Sequence, residues 1–227
     1  VSNGASFGAS VAIVFAANLQ FLNLGDYLTP VFAFVFAAIT MFMVQGIAKI
    51  AKNSTGTLLL AGVAVGHLFT GLVSLLKYMA DEDQLPDLIF WSMGSVSNVT
   101  WPQIAIMLVS AVLGLIVMTR YAWDLNVMST GEESAIGLGV NYKKIRTIAF
   151  LLSTLMTGVA VSFTGIIGFV GMVAPHVARI IVGNDYRYTI PTASVCGALL
   201  LMVADSISRV LVTTVSMPIG VVTSLIG

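Results

Sequence analysis

Few residues in this chain could do chemistry, and most of them stand alone. His67 lies deep within the apolar run LLLAGVAVGHLFTG. His176 and Arg179 are three apart in APHVAR, behind Pro175, and Asp205 precedes Arg209 by four residues. An ionisable group in hydrocarbon costs several kcal/mol unless it is paired or hydrated, so each is a functional candidate. His67 either lines a substrate path or is a neutral imidazole bonded to a neighbouring helix. His176 and Arg179 share one helix face, where Pro175 frees a backbone carbonyl, and a hydrogen-bonded structural cluster is expected there. Asp205 and Arg209 have the spacing of a helix-surface ion pair; alternatively Arg209 is an exposed cation. Two histidines and the single cysteine, Cys196, cannot assemble a recognisable metal site. The chain has no G-x-x-x-x-G-K-[ST] loop to hold a nucleotide phosphate, and no H-E-x-x-H or G-x-S-x-G. No carboxylate sits near the middle of an apolar run, where ion-coupled transporters commonly keep one.

These groups are set in 227 residues that are 58% hydrophobic and 9% charged, with mean hydropathy +1.00. A soluble domain carries roughly 25% charged residues. Ten basic and ten acidic side chains cannot solvate a globule of 23.9 kDa, which excludes a soluble enzyme, a nucleic-acid binder and a disordered chain. The expected fold is all-α, a polytopic transmembrane helix bundle forming one domain over 1–227. A spanning helix needs about 20 apolar residues, and seven runs qualify. They are Ala5–Leu22, Val31–Ala48, Thr57–Leu76, Pro102–Thr119, Thr147–Thr164, Ile166–Val182 and Ile190–Ser206. An eighth begins near Pro218, a residue suited to a first helical turn. The start at Val1 and the stop at Gly227 inside an apolar run suggest a chain truncated at both ends.

The basic residues orient the spans. With Val1 on the cytoplasmic side and one crossing per span, Lys49, Lys52, Arg120, Lys143, Lys144, Arg146, Arg179 and Arg187 fall inside. Only Lys77 and Arg209 fall outside, as do the acids Asp26, Asp81, Glu82, Asp83 and Asp87. Between the third and fourth spans Leu85–Asn98 is apolar but too short to cross, and reads as a re-entrant or surface helix. Gly4 and Gly8, Gly62 and Gly66, and Gly165, Gly168 and Gly171 would put small residues on helix faces that pack closely.

The inner connection at 121–146, YAWDLNVMSTGEESAIGLGVNYKKIR, has its own helix grammar. Ser129 and Glu132 match a capping box that would start a short helix through Ile136. Gly137 and Gly139 would stop it, and Asn141 would cap the next helix, which carries Lys143, Lys144 and Arg146 into the fifth span. The expected product is two short helices joined by a glycine turn, a handle for a soluble partner.

These residues resemble the permease subunits of ATP-binding-cassette importers for iron–siderophore, haem and cobalamin, the FecCD-type permeases. Gly131, Glu132, Glu133, Ala135, Leu138 and Gly139 match the family's G-E-E-x-A-x-x-L-G. Gly165–Arg179 (GIIGFVGMVAPHVAR) looks like its G-x-I-G-F-V-G-L-x-x-P-H-x-x-R. VSNG at Val1–Gly4, LLLAGVAVG at Leu58–Gly66, Ala204-Asp205 with Arg209, and MPIGVVTSLIG at Met217–Gly227 extend the likeness along the chain. The resemblance implies a ten-span fold of which this chain holds the third to ninth spans and part of the tenth. It implies a second permease copy, identical or a close paralogue, and two copies of an ATPase subunit that dock on the 121–146 loop through Ser129 and the Gly131–Gly139 motif. An extracytoplasmic binding protein would meet Arg209. ATP and Mg would be used by the partner subunit, with no cofactor bound here. The path would be lined by Gly66, His67 and Asn98, with a gate at Ser54 and Thr55, and Pro175, His176, Arg179 and Asp205 would be structural. The bilayer would be the inner membrane of a bacterium or archaeon. The competing readings are an ion-coupled secondary transporter, which the missing mid-span carboxylates disfavour, and a membrane scaffold.

Overall fold

A computed structural model describes residues 1–15, 25–50, 55–97, 99–211 and 218–226. Among these residues there are eleven α-helices and no strand. They are α1 (Ser2–Val14), α2 (Leu28–Ile50, entered through a 3-10 turn at Gly25–Tyr27), α3 (Thr55–Met79), α4 (Leu85–Met93), α5 (Trp101–Arg120) and α6 (Ala122–Met128). The chain continues through α7 (Glu132–Gly137), α8 (Tyr142–Thr164), α9 (Val170–Val182), α10 (Tyr186–Leu211) and α11 (Ile219–Ile226). Among the described residues five helical stretches are long and apolar enough to cross a membrane: Gly25–Ile50, Gly56–Met79, Trp101–Arg120, Tyr142–Thr164 and Tyr186–Val210. They match five of the seven expected spans. Of the first expected span, residues 16–22 lie outside the described residues. α11 begins directly after Pro218, as the preference of proline for a first turn predicts.

The helices form two compact units, one of residues 1–99 with 157–166, the other of 100–156 with 167–227. In the first unit, Ala5 and Ala9 of α1 meet Ala33 and Ala37 of α2, with Val161 of α8 completing the cluster. Gly4 and Gly8 bring the two backbones together. A Cβ on Gly4 would lie 2.9 Å from the Phe36 carbonyl oxygen, and one on Gly8 would overlap the Phe32 carbonyl. The Phe7 ring bridges Phe36 of α2, centroid to centroid 5.0 Å, and Phe69 of α3 at 5.5 Å. Close approach through small residues is what helix association in lipid requires, because burying apolar surface there gains little over leaving it in hydrocarbon. The expected pair Gly62 and Gly66 behaves differently: Gly62 has open space around it, and Gly66 meets only the Asn3 amide.

Successive contacts along α1 fix its direction and depth. The Asn3 amide donates to the Gly66 carbonyl at 3.1 Å, and Gln84 Nε2, beyond the end of α3, donates to the Val14 carbonyl at 3.2 Å. α1 therefore runs parallel to α3. Gly66 is eleven residues into α3, about 16 Å at 1.5 Å per residue. Asn3 is thus level with the middle of α3, and the parallel run of the two helices is the one expected of a first and a third span.

The sixth expected span is corrected. Ile166–Val182 is not one helix: α8 ends at Thr164, and α9 starts only at Val170, giving 13 residues. Gly165 has φ +70° and a Cβ there would run into the Trp91 carbonyl, with Gly94 Cα at 3.1 Å. The Ser95 N–H donates to the Thr164 carbonyl at 2.7 Å. Phe169 also takes positive φ, +63°. Gly165 accordingly serves a turn against the end of α4, and Gly165 and Gly168, both between α8 and α9, do not form a helix face. α4 is a helix within the stretch 85–98, ending at Met93 because Gly94 turns the chain at φ +69°.

In the second unit, Ala174 and Ala178 of α9 are buried, and α9 packs on α10 where a Cβ on Gly197 would contact Ala174 Cβ at 3.5 Å. Gly114 of α5 makes room for the Met156 side chain of α8. α5 starts with a device the composition alone did not suggest: the Gln103 side-chain oxygen accepts the Thr100 N–H at 3.0 Å, with Pro102 in the first turn.

Gly8→Ala is expected to destabilise the first unit by about 1–3 kcal/mol, the usual cost of overpacking. Gly62→Ala, with open space around it, should be neutral or slightly stabilising. Thermal unfolding of the two variants in detergent checks the contrast.

Candidate functional site

The loop expected to carry the docking function holds three helical pieces where two were expected. α6 continues almost directly from α5, breaking only at Tyr121. Ser129 therefore ends α6; it does not cap α7. Its hydroxyl donates to the Asn126 carbonyl at 2.6 Å, so the expected capping box with Glu132 does not form. The residue that opens α7 is Gly131, at φ +112°, whose carbonyl accepts the Ala135 N–H at 3.0 Å. The stop follows the expectation. Gly139, at φ +82°, allows the Val140 N–H to reach back to the Ala135 carbonyl at 3.0 Å and close a Schellman turn. Asn141 then caps α8, its Oδ1 accepting the Lys144 N–H at 3.1 Å.

Between Ser129 and Gly139, the elbow of this loop, only one side chain is buried. Ala135 is fully covered, whereas Ser129, Glu132, Glu133, Ile136 and Leu138 are exposed, Leu138 to 70%. Two carboxylates and Ile136 on a six-residue helix, with Leu138 just beyond its end, all held between glycines of positive φ, have no catalytic arrangement. They form a small amphipathic knob, chemistry suited to seating in a groove on another protein.

The remaining expected residues are scattered. Arg209 Nε donates to Asp205 Oδ2 at 2.8 Å, as their spacing predicts, and the Arg209 side chain stays 65% exposed. His176 and Arg179 are exposed on the side of α9 away from buried Ala174 and Ala178, and the cluster expected of them does not form among the described residues. Pro175 sits inside α9 as a half-buried residue. His67 is exposed on α3, without a hydrogen-bond partner among the described residues. Ser54 and Asn98 lie outside the described residues, and of Thr55 only the backbone, opening α3, is described. Gly66 is drawn instead into a polar contact: its carbonyl accepts from Asn3 Nδ2 and, at 3.0 Å, from the Thr70 hydroxyl.

Two groupings are additions to the sequence reading. In the first unit a cleft of about 200 Å³ is lined by Asn3, Ser6, Thr70, Ser74, Lys77 and Ser92, together with apolar Val73 and Ile166. Thr70, Ser74 and Lys77 follow i, i+4, i+7 spacing, a polar stripe that sequence reasoning could have found on α3. In the second unit Asn126 of α6 reaches the turn before α10. Its Nδ2 donates to Asp185 Oδ1 at 2.7 Å, and its Oδ1 accepts the Tyr186 N–H at 2.8 Å. Arg187 grips the same carboxylate through Nε at 2.9 Å and Nη2 at 2.5 Å. No local pattern signals this cluster, since Asn126 and Asp185 are 59 residues apart.

With this geometry in hand, the comparisons with known proteins are consistent. The family model of the FecCD transport family matches residues 1–227. Among curated relatives, the hemin transport system permease protein HmuU of Yersinia pestis is 35% identical over 231 residues, all of this chain and 68% of that protein. The molybdate import system permease protein MolB of Haemophilus influenzae is 32% identical over 228 residues, again all of this chain and 66% of that protein. A solved structure described as an inward-facing, metal-chelate type ABC transporter superposes with TM-score 0.85 at 31% identity, covering all of this chain and 70% of that one. The class is thus a multi-pass helical membrane permease. The chain belongs to the FecCD transport family, and it spans roughly two thirds of the length of these relatives.

Asp185 lies outside the spans, and its carboxyl is held well below the usual carboxylate range, first by the Arg187 side chain and then by the Asn126 amide. Stability from a depressed carboxyl is complete above its unfolded pKa and is lost as pH falls through the folded one. Release of α6 from the start of α10 is therefore expected only in acid below the ordinary carboxylate range, and Asp185→Asn should abolish that step. Trp123 fluorescence against pH, with Trp91 and Trp101 replaced by Phe, reads it.

Proposed function

We propose that this chain is the transmembrane permease of an ATP-binding-cassette importer in a cytoplasmic membrane, moving an iron chelate inward by alternating access. The observation that carries this reading is the α7 elbow. A glycine-bounded helix that buries only Ala135 and presents Glu132, Glu133, Ile136 and Leu138 is a docking knob with no work to do inside its own fold. In this reading two permease copies pair around the path, and each seats an ATPase subunit on its knob. Closure of the ATPases moves the elbows, and stiff spanning helices convert that motion into opening of one end of the path. Mg-ATP is consumed by the partner. A binding protein delivers cargo at the outer face, where the exposed guanidinium of Arg209 meets one of its carboxylates.

The iron chelate is the cargo that hemin and hydroxamate relatives suggest, although cobalamin and molybdate permeases are also among the similar proteins. The ammonium of Lys77 at the cleft of the first unit supports an anionic cargo, to which it is complementary. Stimulation of ATP hydrolysis by the loaded binding protein across ferric hydroxamate, hemin, cobalamin and molybdate tests the cargo.

Reversal of both elbow charges, Glu132→Lys with Glu133→Lys, should cut uptake by about tenfold or more, a typical size for lost coupling between sites, while the permease still folds. Unchanged uptake in vesicles would remove the elbow from the mechanism. Arg209→Glu should weaken binding-protein docking, most visibly at low ionic strength where exposed charges are least screened. Docking affinities that match the unsubstituted chain at every salt concentration would rule out that contact.

A further inference from the structure

The Asn126 cluster joins the elbow to a spanning helix. α6 ends at Met128, three residues before the Gly131 hinge of α7, and Asn126 lies on its last turn. The Asn126 amide has one orientation that serves both of its neighbours: the NH2 must face the Asp185 carboxylate and the oxygen must face the Tyr186 N–H. Asp185 is then saturated by Asn126 and by Arg187, whose backbone N–H at 2.9 Å and guanidinium both bond to it. The guanidinium also lies over the Trp123 ring of α6, 5.4 Å from its centroid, so α6 is held at two points one helical turn apart. The receiving turn is stiff. Gly183 turns the chain at φ +81°, and the buried Thr189 hydroxyl donates to the Gly183 and Asp185 carbonyls, both at 2.9 Å.

An N-cap for α10 would need only the Asp185 side chain and the Arg187 N–H. The bonds from Asn126 and the stacking on Trp123 add something a cap does not require: they tie α6 to α10. Resting on the elbow reading above, we propose that Asn126, Asp185 and Arg187 form a latch that makes α6 and α10 one rigid piece. Force received at α7 then passes along α10, whose far end carries Arg209. A helix of 26 residues is about 39 Å long at 1.5 Å per residue, enough to connect an ATPase contact on one face with a binding-protein contact on the other. Asn126, Asp185 and Arg187 are positioning residues, since none of them touches either partner in this scheme.

The test measures how strongly nucleotide at the ATPase alters binding-protein affinity. The complete transporter, reconstituted with its ATPase, is titrated with the binding protein free of nucleotide and again trapped with ATP and vanadate. The ratio of the two dissociation constants is the coupling. Asn126→Ala and Asp185→Ser should each bring this ratio about tenfold closer to one, within the usual range of coupling factors, with basal ATP hydrolysis unchanged. Serine keeps the α10 cap, so a ratio equal to that of the unsubstituted chain in Asp185→Ser would reduce the cluster to a cap and overturn the latch. If Asp185→Ser does not assemble, Asn126→Ala, which leaves the Asp185–Arg187 bonds in place, decides by the same comparison. Reversal of Glu132 and Glu133 is run alongside. If it abolishes coupling while the latch variants keep it, the latch fails and the elbow stands; if the reversal also keeps coupling, the elbow reading fails.

Discussion

A helix leaving water for lipid gains from burial in hydrocarbon once, and gains little more when it meets another helix. What holds such helices together is contact between backbones, and that needs side chains small enough to let them approach. The first unit depends on this constraint at Gly4, Ala5, Gly8 and Ala9, which lie on one face of α1 and rest against Ala33, Phe36 and Ala37 of α2. The same solution recurs in the second unit, where Gly197 faces Ala174. Large apolar residues such as Leu60 and Leu108 are left on the outside. That is the reverse of a soluble core, and it explains why so little of each spanning helix is buried within the chain.

The elbow obeys a different rule, because its backbone is not sheltered by a long helix. Every end of its short helices must find a partner for its free carbonyls and amides. Gly139, Asn141 and Ser129 each meet one of those needs, by a left-handed turn, a side-chain cap and a hydroxyl returned to the preceding turn. With its own termini satisfied locally, α7 can turn its acidic and apolar side chains outward.

The span pattern and the elbow's C-terminal half were legible in the sequence because their signals are local: apolar runs, a glycine after a short helix, an asparagine before the next. Two readings were misplaced for an identifiable reason. The spacing pairs Ser129 with Glu132 because nothing in AWDLNVM marks a separate helix ending there, although the polar Asp124 and Asn126 are a hint. The run after Thr164 read as uninterrupted helix because hydropathy does not register that Gly165 and Phe169 take positive φ. The Asn126 cluster and the Asn3–Gly66 contact were out of reach, since each joins residues some 60 apart through tertiary packing. Local spacing gives the Asp205–Arg209 pair, and the Thr70, Ser74, Lys77 stripe is written in the same kind of spacing.

The break between α8 and α9 sets a depth mark. α9 has 13 residues, about 20 Å of helix, against roughly 30 Å of hydrocarbon. Carbonyls and amides between Gly165 and Phe169 that no helix satisfies cannot face lipid. If α9 reaches the inner boundary through Arg179, this turn is sunk some 10 Å beneath the opposite one. Protein or water must therefore cover this turn, and the Trp91–Ser95 segment packed on Gly165 supplies part of that cover.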